Sequence, residues 1–132
     1  MKLNQLKIVS IIFFLIIARE GDHAWIPIGF ILLTSLFYIF SEFKYVIVQL
    51  LSFLGLILIL YSIVKHRIVF VILGYLLTYI ILINNLIDYV TSEKSHSEVY
   101  FLITTFIYFG LSMYVIAKSI MNNKNQPKHS NY

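Results

Sequence analysis

The chain has 132 residues, of which 60% are hydrophobic and only 12% are charged, whereas a soluble domain carries about 25% charged residues. Its mean hydropathy is +0.87. A bilayer core about 30 Å thick needs roughly 20 apolar residues for each helical crossing, so the chain is predicted to be an all-α integral membrane protein with four or five crossings. It contains no cysteine, which excludes disulfides, thiolate metal sites and a cysteine nucleophile.

The net charge of +4 comes from an excess of Lys and Arg. These cations lie at the ends of the apolar segments and in the C-terminal tail: Lys2, Lys7, Arg19, Lys65, Arg67, Lys118, Lys124 and Lys128. This placement is typical of the positive-inside bias and of contact with anionic headgroups. No basic stripe alternates with aromatic residues as a nucleic-acid platform would require. The predicted partner is therefore the lipid bilayer and not nucleic acid.

Five hydrophobic helices are predicted within one domain, residues 1–121, at about 3–19, 24–43, 45–64, 68–90 and 99–120. The last four are long enough to cross a membrane. The first has only eleven uninterrupted apolar residues, Ile8 to Ala18, a length that also fits a re-entrant segment. Pro27 suits the first turn of the second helix, with Gly21 or Asp22 as its N-cap. Residues 122–132 are polar and are predicted to be disordered.

Two topologies stay open for the first segment. Its apolarity favours five crossings. If it does not cross, however, Lys and Arg divide as eight on one side and two on the other, instead of six and four, and this stronger asymmetry favours four crossings. In both cases the Lys65-His66-Arg67 turn and the tail are predicted to be cytoplasmic. The short turn also predicts that the third and fourth helices are antiparallel neighbours.

Helical-wheel geometry at about 100° per residue predicts the inward faces of the last two helices. On the fourth helix, the polar and small residues share one arc: Asn84, Asp88, Gly74, Asn85, Thr78 and Tyr89. The aliphatic residues opposite them are expected to meet lipid: Val69, Ile72, Leu76, Ile80, Ile83 and Ile87. A second polar arc follows on the fifth helix: Phe101, Thr104, Thr105, Tyr108, Ser112 and Ser119. Together with Gln49, Ser52 and Gly55 of the third helix, these arcs predict one packed seam.

The seam contains the candidate site. A substrate or ion path is predicted along Asp88, Asn84, Asn85, Thr104 and Tyr108, because an ionisable residue inside a membrane is a functional candidate by default. A second interpretation stays open, since Asp88 is only two residues from Val90 and could lie at the headgroup level. Hydroxyl and small residues at such a seam are also what helix packing in membranes requires.

A second polar cluster, Glu20, Asp22 and His23, lies between the first two helices. Two carboxylates and an imidazole could bind a metal or relay protons, although charges flanking helix ends explain the cluster equally well. The sequence has no phosphate-binding loop, nucleophile elbow or paired metal-ligand spacing. No catalytic residue, metal or cofactor is therefore predicted.

These features predict a small multi-pass membrane protein without enzymatic activity, located in the cytoplasmic membrane if the source is bacterial. It would act as a subunit, accessory or immunity-type partner of another membrane protein. The alternative is a small transporter or channel with its path near Asn84 and Asp88, which would require a homo-oligomer because one five-helix bundle leaves no pore. A third and weaker hypothesis is a membrane enzyme that uses Glu20, Asp22 and His23 at the interface.

Overall fold

A computed structural model of the chain describes residues 2–20, 25–38, 43–91 and 99–124. The helices and strands found there are α1 (Leu3–Ile16), β1 (Ala18–Glu20), β2 (Trp25–Pro27), α2 (Ile28–Tyr38), α3 (Phe43–Lys65), α4 (Ile68–Thr91) and α5 (Val99–Lys124). The prediction of a helical bundle with five helices is confirmed. By length and composition, three of them, α3, α4 and α5, could each cross a membrane alone, whereas the sequence predicted four.

The connection between α1 and α2 differs from the prediction. β1 and β2 pair in antiparallel fashion, with Ala18 opposite Pro27. Pro27 therefore lies in a strand and not in the first turn of α2, and it is tolerated there because a two-stranded sheet has only edge strands. Since α2 begins at Ile28, neither Gly21 nor Asp22 can cap it, and both lie outside the described residues. α1 ends at Ile16, two residues before the apolar run ends at Ala18, whereas the sequence predicted a helix to residue 19.

Helices α3 and α4 form an antiparallel pair, as predicted. His66 is in the left-handed region with φ 51°, and its N–H donates to the carbonyl of Ser62 at 3.0 Å. The two helices approach most closely at a pair of glycines. A Cβ placed on Gly55 would lie 2.7 Å from the carbonyl oxygen of Gly74. Small residues are the usual means by which membrane helices bring their backbones together.

One end of the bundle, which we call the turn end, holds the start of α1, the turn between α3 and α4, and the end of α5. Leu3, His66 and Asn122 line one pocket there. Lys7 of α1 donates from Nζ to the carbonyl of Ser62 of α3 at 3.2 Å, which places these residues at one level. From that level, Ile16 lies about 13 Å along α1, and Phe43 lies about 28 Å along α3, at about 1.5 Å per residue.

The positions of these residues along the bundle axis limit the direction of α2. It starts beside the end of α1, because the N–H of Ile28 donates to the carbonyl of Ile17 at 2.7 Å. If α2 returned to the turn end, Tyr38 would lie roughly 30 Å from Phe43, but five residues span at most about 18 Å. α2 therefore does not run back along α1 as far as the turn end. It is about 16 Å long and packs against both α1 and α3, where Leu32 lines an apolar cavity with Leu15 and Phe53.

The bundle buries apolar and small polar side chains in its interior and also exposes many large apolar side chains on its surface. The largest fully buried side chains include Tyr75, Tyr108, Phe14 and Phe101. Large apolar side chains on every helix point outward, among them Phe37 at 84% exposure and Phe106 at 72%. Such an exterior would aggregate in water, and it is the surface expected of a protein surrounded by lipid.

Candidate functional site

The inward face predicted for α5 is confirmed. All six residues of its arc are buried: Phe101, Thr104, Thr105, Tyr108, Ser112 and Ser119. Val115 completes the same face. The prediction succeeded because polar and aromatic residues repeat at helical spacing along the whole length of this helix.

The face predicted for α4 is displaced. Gly74, Thr78 and Asn85 are buried as expected. With Gly74 at zero, however, the buried arc runs from about −20° at Ile81 to about +100° at Tyr75, whereas the predicted arc ran from about −80° to +60°. The buried face is thus rotated by about 50°. The rotation buries the Tyr75 ring at about +100°. The other edge of the predicted arc, near about −80°, therefore faces outward.

The two residues on that edge are Asn84 and Asp88, and both are exposed. The prediction that they face inward is wrong, and Tyr89 is only half-buried. Asp88 lies in the last turn of α4, which ends at Thr91. Along the axis of α4, Asp88 lies about 15 Å from Thr78, whose hydroxyl shares a hydrogen bond with Tyr108. The structure therefore keeps Tyr108 away from Asp88, although the sequence grouped them in one site.

What the structure brings together instead is a set of three tyrosine–hydroxyl pairs, which we call the tyrosine seam. Tyr75 of α4 shares a hydrogen bond of 2.5 Å with Ser10 of α1. Tyr108 of α5 and Thr78 of α4 share one of 2.8 Å. Tyr79 of α4 and Ser112 of α5 share one of 2.5 Å. The seam joins α1, α4 and α5 through their interior.

The donor in each pair follows from a second hydrogen bond. Ser10, Thr78 and Ser112 each donate their hydroxyl proton to the backbone carbonyl three residues earlier, at 2.8, 2.9 and 2.9 Å. A hydroxyl has a single proton. Each tyrosine must therefore be the donor in its pair, and all six protons of the seam are used within the bundle.

Aromatic rings fill the space around the seam. Tyr108 lies 5.2 Å from Phe14 and 6.1 Å from Tyr79, between ring centroids. Tyr79 in turn lies 4.5 Å from Phe109. Such contacts are typical of packed aromatic cores. The region predicted to carry a path is occupied by interlocking rings whose hydroxyls already have partners.

Sequence reasoning missed a buried lysine. Lys7 was expected to extend from the first turn of α1 towards the headgroups, but it is only 2% exposed. It lines a cavity of about 90 Å³ at the turn end, together with Leu3, His66, Ile68, Val71, Ser119, Asn122 and Asn123. A signal was present in the sequence, because Leu3, Lys7, Ser10 and Phe14 follow the 4-3-4 spacing of one helix face.

A second cavity, of about 310 Å³, lies where α1 ends and α2 begins, against α3. Its lining is entirely apolar and includes Leu15, Leu32, Phe53 and Ile57. A Cβ on Gly29 would lie 3.1 Å from the carbonyl oxygen of Leu15. The break in the helical path thus leaves an apolar recess.

The polar cluster between the first two helices is only partly visible. Glu20 ends β1, and Asp22 and His23 lie outside the described residues. Within the described ranges, no three His, Cys, Asp or Glu residues are grouped so that they could hold a metal ion. The metal or proton-relay interpretation of the cluster stays a prediction.

No protein-family model matches the chain, and neither the curated proteins nor the solved structures gave a significant match.

Proposed function

We propose that the protein is a small multi-pass membrane protein that acts by binding, as a subunit, accessory or immunity-type partner of another membrane protein. The tyrosine seam carries this proposal. Its hydroxyl protons are all donated within the bundle, so no donor of the seam is left for a passing ion or substrate. The polar side chains of the seam are explained as packing, which is the commonest role of such residues in membrane helices. Outside the seam, Thr105 Oγ1 is buried without a hydrogen-bond partner among the described residues.

For the transporter hypothesis, which requires a homo-oligomer, this arrangement leaves only a path between copies of the protein. Asp88 and Asn84 are exposed, on the outer side of α4 and near its end. A path past them would have to run between copies of the protein and not through one bundle. An exposed Asp88 close to the helix terminus also fits the headgroup level, where a carboxylate stays hydrated.

We further propose four crossings: α1 with α2 as one broken crossing, followed by α3, α4 and α5. The start of α1 and the end of α5 then share one side. At the turn end, the described Lys and Arg residues are Lys2, Lys7, Lys65, Arg67, Lys118 and Lys124. At the opposite end, the described residues place Lys44 at the start of α3, while Arg19 lies in β1, between the two ends. The positive-inside bias makes the turn end cytoplasmic.

The decisive experiment compares assembly with transport. The tagged full chain is expressed in its source membrane and extracted into nanodiscs, and its mass is measured in the intact state. The proposal expects a complex of fixed stoichiometry with a different membrane protein, together with no ion flux in proteoliposomes of the chain alone. A symmetric homo-oligomer whose ion flux is abolished by Asp88→Asn would overturn it.

A further inference from the structure

The buried side chain of Lys7 has one hydrogen-bond acceptor among the described residues, the carbonyl oxygen of Ser62 at 3.2 Å. A lysine ammonium has three donors. Its burial is nearly complete, at 2% exposure, and buried charges in proteins are normally paired. The single carbonyl leaves most of this charge without compensation.

Among the described residues that line the pocket of Lys7, none carries a carboxylate. In the part of the chain that the structure describes, the polar side chains lining this pocket belong to Lys7, His66, Ser119, Asn122 and Asn123. Lys7, His66, Asn122 and Asn123 can each donate a hydrogen bond to a ligand, whereas Ser119 already donates its hydroxyl proton to the carbonyl of Val115 at 2.7 Å. None of these side chains is acidic. Asp88 lies at the far end of α4, near Thr91. A pocket of donors around a buried cation is complementary to an anion.

The backbone adds to this complementarity. Ile68, the first residue of α4, lines the pocket. The first four N–H groups of an α-helix have no acceptor within the helix, and the helix N-terminus carries about half a positive charge. Lys65 and Arg67 flank the turn that leads into α4, so the entrance to the pocket is positively charged, like its interior.

We propose that this pocket binds the phosphate group of an anionic ligand, with the Lys7 ammonium as its ion-pair partner. The cavity of about 90 Å³ is several times larger than the space one water requires, which suits a single phosphate group and excludes a whole nucleotide. Two sources supply this chemistry: the headgroup of an anionic phospholipid in the adjacent leaflet, and free phosphate. The pocket does not depend on the partner-binding role proposed above.

The first experiment titrates inorganic phosphate into the full chain in a maltoside detergent, which contains no phosphate. Thermal unfolding is compared with sodium chloride at equal ionic strength. We expect a saturable rise in Tm with phosphate only. Lys7→Met should weaken phosphate binding by at least about tenfold, since a hydrogen bond to a charged group contributes about 1.5–3 kcal/mol. The matched control is Lys2→Met, which removes an exposed lysine at the same end that does not line the pocket and should keep the response.

The second experiment identifies the source. The chain is placed in nanodiscs of phosphatidylcholine with and without one third phosphatidylglycerol, and retained lipids are counted by native mass spectrometry. Retention of phosphatidylglycerol by the native chain but not by Lys7→Met assigns a lipid headgroup. A response to inorganic phosphate without lipid retention assigns free phosphate. A native chain that responds in neither experiment overturns the proposal.

A further pair of variants separates binding from folding. Lys7 could serve only to hold α1 against Ser62 by its hydrogen bond. In that case Lys7→Met lowers Tm equally with and without phosphate, and the native chain shows no phosphate-specific rise in Tm. That result also overturns the proposal. Asn122→Ala and Asn123→Ala remove two donors at exposed positions and are expected to fold normally. Together they should weaken phosphate binding several-fold even if Lys7→Met does not fold.

Discussion

Gly55 of α3 and Gly74 of α4 place their backbones in mutual contact, since a Cβ on either residue would lie 2.7 or 2.9 Å from the carbonyl oxygen of the other. Real Cβ atoms do not approach an oxygen so closely. The obstacle on each side is backbone, which cannot swing away as a side chain can. This contact fixes the spacing of the α3–α4 pair.

Gly74→Ala is therefore expected to lower the free energy of unfolding by about 1–3 kcal/mol, the usual cost of overpacking. Gly110→Ala is the matched control, because a Cβ there meets nothing within 4 Å. In the middle of α5 the change should be neutral or stabilising, by up to about 1 kcal/mol from helix propensity. Thermal unfolding in detergent measures both. Equal effects of the two substitutions would contradict the close contact.

The tyrosine seam predicts coupling between Thr78 and Tyr108. In a double-mutant cycle with Thr78→Val and Tyr108→Phe, we expect a coupling energy of about 0.6 kcal/mol and at most about 1.7, as for other interhelical hydrogen bonds in membranes. Tyr114, which is 52% exposed on α5, provides the control. Thr78→Val and Tyr114→Phe should be additive within about 0.5 kcal/mol. No coupling between Thr78 and Tyr108 would mean that their hydrogen bond does not form.

Neighbouring asparagines on α4 test which way the helix faces. Asn85 is 7% exposed, whereas Asn84 is exposed. Asn85→Ala is expected to destabilise the protein by about 0.5–3 kcal/mol, because truncating a buried side chain leaves a cavity, while Asn84→Ala and Asp88→Asn should each change stability by less than about 0.5 kcal/mol. Equilibrium unfolding in detergent provides the comparison. A larger loss for Asn84→Ala than for Asn85→Ala would restore the face predicted from the sequence.

The end of the chain offers a further test. The sequence predicted disorder from residue 122, but α5 continues to Lys124, and Asn122 and Asn123 line the phosphate pocket. A chain ending at Lys124 should match the native Tm and phosphate response. A chain ending at Met121 should fold but bind phosphate more weakly. Thermal unfolding with and without phosphate distinguishes them, and an unchanged response after Met121 would remove the two asparagines from the pocket.

Sequence periodicity predicted well those features that depend on one helix alone. The buried face of α5 followed from the spacing of Thr104, Tyr108 and Ser112, and the α3–α4 pair followed from the short turn at His66. The face of α4 was misplaced because polarity was taken as the mark of an inward side chain. In the structure, Tyr75 is buried and Asp88 is exposed.

Two further features depend on residues distant in sequence, which periodicity does not report. Lys7 finds its acceptor in Ser62, 55 residues away. The spacing within the first helix indicated an inward face for Lys7 but not the carbonyl that accepts its hydrogen bond. The pairing of Ala18 with Pro27 joins strands of three residues each, too short for an alternating pattern. The Lys7–Ser62 hydrogen bond and the β1–β2 pairing both help to determine the path of the first third of the chain.

The arrangement of the turn end is the central claim, because the four crossings and the phosphate pocket both require it. The chain has no native cysteine, so single cysteines can be introduced at Asn4, His66, Asn125 and, at the opposite end of α4, Thr91. Each variant is treated in intact cells with a maleimide that does not cross the membrane, before and after permeabilisation. The account predicts that residues 4, 66 and 125 are labelled from one side and residue 91 from the other. Labelling of residue 4 from the same side as residue 91 would contradict it.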